Sequence, residues 1–172
     1  MGKFEKRNWS GEKGKKFGHT GRAEDPYLPV EGQEAALCTG CQALYQNKRW
    51  FFNEALSGKL AGTHKVKEVL CPACRKIKDH YVEGYLTLSG EFLVEHKAEL
   101  VTLIEKEAGR VAKRSVMDRI IQMVPEGEKL VVETTTEKLA QHLGRAVYKA
   151  YKGDLSFKWG EPNRFVRVYW NR

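Results

Sequence analysis

Hydrophobic residues follow regular periods only in the second half of the chain. In "HYVEGYLTLSG", Tyr81, Glu83, Tyr85 and Thr87 alternate with Val82, Leu86 and Leu88, which predicts a strand closed by Ser89-Gly90. The period then lengthens. In "EFLVEHKAELVTLIEKEAG" and the residues just after it, Leu93, Leu100, Leu103, Ile104 and Val111 recur at helical intervals. "RIIQMVPEGEKLVVETT" predicts two strands joined at Pro125-Glu126-Gly127. Thr134, with Glu137 three residues on, has the form of a capping box. The helix that follows gathers Leu139, Leu143, Ala146, Val147 and Ala150 on one face and ends at Gly153. "LSFKWGEPNRFVRVYW" predicts a closing hairpin. The order β-α-β-β-α-β with one additional strand predicts an α+β sandwich of ferredoxin-like type over residues 79–172.

The first half has no such periodicity. "MGKFEKRNWSGEKGKKFGHTGRA" contains five glycines and no apolar period, so it cannot bury enough surface to offset its ordering entropy. An extended basic arm is expected there, joined by the acidic, proline-punctuated "EDPYLPVEG", the two together spanning residues 1–36. Phe4, Trp9, Phe17 and His19 lie between its cations, as in extensions that bind RNA with cations on phosphates and ring planes on unstacked bases.

Charge sharpens this division. The net charge is +8, and its distribution is uneven. Residues 1–23 hold seven Lys/Arg against two acids, residues 24–36 hold four acids and no Lys/Arg, and residues 37–78 hold eight against two. Residues 79–172 are nearly balanced, with fifteen Lys/Arg and fourteen acids. Such asymmetry points to a polyanionic partner, most often nucleic acid. The candidate contacts on the arm are Lys3, Lys6, Arg7, Trp9, Lys13, Lys15, Lys16 and Arg22. No apolar run reaches the length of about eighteen residues needed to cross a bilayer, and the N-terminus lacks the apolar core of a secretory signal. A cytoplasmic protein with reduced thiols is expected, which argues against disulfides.

All four cysteines lie in residues 37–78, as Cys38-x₂-Cys41 and Cys71-x₂-Cys74. Each pair can offer two thiolates from one tight turn, and two such pairs complete a tetrahedral site for one structural Zn²⁺. The gap between them exceeds the commonest spacing and requires a folded insertion, expected as a helix or turn over "RWFFNEALSGKLAG". A redox C-x-x-C at Cys71 would not need the second pair, and an iron–sulfur cluster is rarer for plain paired knuckles. Four thiolates on Zn²⁺ carry net negative charge, which the nearby Lys48, Arg49, Arg75, Lys76 and Lys78 moderate. Five cations exceed that need and, with Trp50, are candidate RNA contacts. His64 and His80 flank the second knuckle but are superfluous beside four cysteines, and His96 and His142 read as helix surface. No phosphate loop, GxSxG, HExxH or dinucleotide fingerprint is present, so a non-enzymatic protein without a small-molecule substrate is expected.

"CTGCQALYQNKRW", "LCPACRK" running into "HYVEGYLTLSG", and later "LGRAVYKAYKGDLSFKW" with "RFVRVYW" together resemble the amino-terminal part of the nonsense-mediated-decay protein three family, the export adaptor of the large ribosomal subunit, and its prokaryotic relatives. The resemblance covers residues 37–172. It implies that Cys38, Cys41, Cys71 and Cys74 ligate zinc, that Lys48, Arg49, Trp50, Arg75 and Lys76 contact RNA, and that rRNA of the large subunit is the partner. With four cysteines against the larger number in the export adaptors, nuclear shuttling is not implied. The reading is a ribosome-associated, rRNA-binding protein acting in assembly, quality control or dormancy, with another ribosome-associated factor as a candidate partner. The alternatives are a zinc-ribbon DNA-binding or transcription-associated protein and a protein-interaction adaptor. The acid-rich face of the first long helix disfavours major-groove readout.

Overall fold

The computed structural model describes residue 27 and residues 35–60, 66–160 and 165–172. The arm candidates Lys3, Lys6, Arg7, Trp9, Lys13, Lys15, Lys16 and Arg22 lie outside the described residues. The described chain is α+β, with four helices and two sheets.

The first sheet contains β1 (Ala35–Cys38), β2 (Leu44–Gln46), β3 (Arg49–Phe51) and β4 (Lys67–Val69), in the order β3-β2-β1-β4. β4 runs parallel to β1, and the other pairs are antiparallel. β2 and β3 form a tight hairpin through Asn47 and Lys48, both at positive φ (51° and 62°), the backbone that two-residue hairpins require. The insertion between the cysteine pairs is therefore more than a helix or turn. "RWF" is strand, and helix α1 (Glu54–Leu60) follows, its first turn tied by Leu56 N donating to Asn53 Oδ1 at 3.0 Å. Helix α2 (Pro72–Lys78) starts immediately after Cys71.

The second sheet has the order β6-β7-β5-β9-β8, formed by β5 (Gly84–Ser89), β6 (Ile120–Glu126), β7 (Lys129–Thr134), β8 (Asp154–Gly160) and β9 (Phe165–Asn171). Helices α3 (Glu91–Ala112) and α4 (Glu137–Tyr151) cover one face. Leu86, Leu88, Val132, Val166, Val168 and Trp170 from the strands meet Leu100 and Ile104 of α3 and Leu139, Leu143 and Val147 of α4. Alternation set this arrangement, because each of these strand residues occupies the same phase of a period-two pattern. Trp170 is buried, with its indole N–H satisfied by Lys152 O at 2.6 Å.

The sheet departs from the expected ferredoxin-like order in one respect. In the plain form, the strand after the second helix lies beside the first strand. Here β8 goes to the edge, and β9 takes the inner place, parallel to β5. Burial explains the exchange. Val166, Val168 and Trp170 of β9 are fully buried, whereas their partners on β8 are less so: Leu155 and Phe157 are partly buried and Trp159 is exposed.

Three local expectations also shift. The β6–β7 turn lies at Gly127-Glu128, because Pro125 still pairs with Leu130 in the ladder. β6 is an edge strand, where the N–H that proline lacks is not needed. The cap of α4 is Thr136, whose Oγ accepts from Leu139 N, and not Thr134. Thr134 is buried at the end of β7, donating to the carbonyls of Gly84 and Thr136. Finally, β5 begins at Gly84: Tyr81 N bonds back to Lys76 O, and residues 80–83 lie outside the strand.

Candidate metal centre

Cys38 ends β1, and the chain then turns sharply so that Cys38 N donates to Ala43 O at 2.8 Å and Gln42 N to Cys38 O at 3.0 Å. Thr39 N bonds Val69 O at 3.0 Å, which fixes this knuckle to β4 just before the second one. Gly40 is required by close approach. A Cβ there would lie 3.0 Å from Cys74 Sγ and 3.2 Å from Leu70 Cδ2. Cys71 is the N-cap of α2, its Sγ accepting from Cys74 N at 3.4 Å, with Pro72 supplying the preset φ of a first helical turn. Cys38 Sγ accepts from Cys71 N at 3.2 Å, an N–H···S bond running from one knuckle to the other.

These turns bring the four sulfurs within 4.8 Å of one another. All four cysteines are free of disulfides. The Cys41–Cys71 sulfur separation is 3.7 Å. Sulfurs held tetrahedrally at about 2.3 Å from a metal lie roughly 3.8 Å apart, so the donor set fits a metal ion closely. Cys38 and Cys71 are buried among Ala43, Ala73, Leu70, Trp50 and Val116.

The electrostatics favour a cation as well. Hydrogen bonds from the Cys41 and Cys71 side chains push the Cys38 thiol far below its ordinary pKa. The same crowding, through side-chain hydrogen bonds to Cys38 and Cys41 and then burial, pushes Cys71 far above it. Burial, reinforced by the charge of its neighbours, pushes Cys74 up to about 12. Burial and the neighbouring sulfurs thus oppose ionisation of Cys71 and Cys74, and a divalent cation at the centre would remove that opposition.

The five cations expected beside the knuckles have different surroundings. Lys48 and Arg49 are exposed at the tip of the β2–β3 hairpin, and Lys78 is exposed at the end of α2. Arg75 is half-buried, its guanidinium 5.6 Å from the Tyr27 ring centre. Lys76 is a correction. It is buried, its ammonium 2.5 Å from Glu83 Oε1 and 3.4 Å from Thr135 O, so it ties α2 to the second sheet. Trp50 is another. Its ring packs on the cysteine cluster and on Tyr45 (centroids 5.3 Å apart), with Nε1 buried and unpartnered among the described residues. It is a half-buried wall of the site.

Two residues that sequence pattern did not single out complete the surroundings. Val116, from the α3–β6 connection, is buried against the cysteines, and Arg119 lies over Phe52 at 5.2 Å. Nothing in the period of the chain marks them, since both lie in a loop. No helix among the described residues is long and apolar enough to cross a membrane. No protein-family model, curated protein or solved structure matches the chain.

Proposed function

We propose that this chain is a non-enzymatic ribosome-associated protein that binds rRNA, favouring the large subunit, and that its four cysteines hold one structural Zn²⁺. The observation that carries the reading is the closed cluster of four thiols in a module that also carries exposed Lys48, Arg49 and Lys78. The ion would supply charge neutralisation and a cross-link between the two knuckles. A complete thiolate set leaves no open coordination position, so the centre fits a staple and not a hydrolytic site. Residues 37–78 form the zinc module in this reading, and residues 79–172 the α+β part it is fastened to.

The distribution of charge supports RNA as the partner, and the resemblance set out above supports the large subunit. Assembly, quality control and dormancy all fit a cytoplasmic protein of this kind, with room for a second ribosome-associated factor. Backbone phosphate contacts would dominate affinity, so it should fall steeply with salt.

Sedimentation of the full chain with purified ribosomal subunits tests the reading. Co-migration with the large subunit at low salt, reduced by joint Lys48→Ala, Arg49→Ala and Lys78→Ala substitution, is the expected result. Recovery only at the top of the gradient at low salt would overturn it. Elemental analysis should give one zinc per chain, and iron in its place would remove the staple.

A further inference from the structure

Among the described residues, helices cover only one face of the second sheet, and the other face carries rings and cations among its side chains. In register across the strands lie Gln122, Glu133, Tyr85, Arg167 and Lys158, and beside them Val124, Val131, Thr87, Tyr169 and Ser156. The guanidinium of Arg167 sits 5.7 Å from the Tyr85 ring centre and 4.5 Å from that of Phe165. The ammonium of Lys158 sits 5.4 Å from the Tyr169 ring centre. Arg167 and Lys158 are exposed, and neither has a carboxylate partner among the described residues. Glu133 is the only carboxylate in the two rows, and it is engaged by His80 Nε2 and Gln122 Nε2, both at 2.9 Å.

One further feature shows that a ring has been given room here. Gly160 faces Phe165 across the β8–β9 hairpin, and a Cβ at Gly160 would fall 2.1 Å from the Phe165 ring. The Phe165 ring therefore occupies the space that a side chain at Gly160 of β8 would take, with the Arg167 guanidinium 4.5 Å from its centre.

We propose that this open face, with Tyr85, Phe165, Arg167, Tyr169 and Lys158 at its centre, binds unpaired bases of single-stranded RNA. The inference rests on the reading that RNA is the partner, and adds where and in what form it is held. Aromatic rings on the central strands of a half-covered sheet give unpaired bases flat surfaces to stack on, while duplex RNA keeps its base faces hidden. Arg167 and Lys158 supply the matching charge for the phosphates between stacked bases. His80 extends the surface toward Lys78, since its bond to Glu133 ties the α2–β5 connection to this face.

The test uses the full chain, a short fluorescent single-stranded oligoribonucleotide and its duplex form, read by anisotropy over a salt series. The single strand should bind more tightly than the duplex. Tyr85→Ala and Tyr169→Ala should each weaken it at least about fivefold, the lower bound for losing one base–aromatic stack, with the salt slope unchanged. Arg167→Ala should weaken it and flatten the slope. Photo-crosslinks on the unmodified protein should fall on the peptides carrying Tyr85 and Phe165–Tyr169, a readout that needs no variant to fold. Wild-type affinity in all three variants, with crosslinks elsewhere, would overturn the face while ribosome binding stood. Absence of both oligonucleotide binding and co-sedimentation would remove both readings. Crosslinks joining two copies of the chain through this face would assign it to self-association and overturn the proposal.

Discussion

Lys76 and Lys78 are two positions apart on α2 and meet opposite surroundings. Lys78 is in solvent, whereas Lys76 is buried with its charge on Glu83. Removing Lys76 takes the ammonium away from a largely buried carboxylate, so Lys76→Ala should cost about 2–3 kcal/mol in denaturant unfolding. Lys78→Ala should stay within about 0.5 kcal/mol and instead lower RNA affinity. Equal stability losses in the two variants would contradict the placement. Gly40 makes a second case at this scale. A methyl at 3.0 Å from Cys74 Sγ makes that sulfur give by a few tenths of an ångström, so Gly40→Ala should weaken binding of the proposed zinc on the order of tenfold in competition with a chelator.

At the scale of elements, the start of α4 shows how three consecutive threonines divide their work. Thr134 closes β7, Thr135 Oγ donates to Met117 O at 2.6 Å, and Thr136 caps the helix while bonding Asp118. Thr136→Ala should cost about 1 kcal/mol, the usual loss for a hydroxyl cap, measured as a lowered midpoint of thermal unfolding. A capping-box pattern anchored on Thr134 was readable, and it was two residues early. The spacing rule cannot say where a strand stops, and here the β7–β5 ladder extends through Thr134, which pairs with Gly84. The β6–β7 turn moved for the same reason, because ladder pairing carried the strand through Pro125.

At the scale of the whole molecule, the cysteine cluster and the larger sheet are mechanically linked. Val116 packs on the cysteines, and Lys76 reaches Glu83 and Thr135. Chelation should therefore melt the small four-stranded sheet and also lower the midpoint of the larger one, while leaving much of the helical signal. A midpoint unchanged by chelation would separate the two. Acid should act in the same direction. Binding a metal releases the protons that Cys71 and Cys74 hold tightly, so lowering the pH adds protons that compete with the ion. Zinc release, followed with an indicator dye, should rise as pH falls and reverse on neutralisation.

The sequence by itself determined the α+β class, both long helices, the strands of the second sheet and the four cysteines as a set. Each depends on a local regularity: a period of 3.6 or 2, or a pair of thiols within one turn. It also carried the phase that places Tyr85, Arg167 and Tyr169 opposite the core, though not the knowledge that no helix among the described residues covers them. Tertiary structure alone decided the inner position of β9, the burial of Lys76, the packing of Trp50 on the cysteines, and the closing of the cysteine cluster by Val116. These depend on which surfaces meet across long chain separations, and a cation's surroundings are set by those meetings and not by its neighbours in sequence.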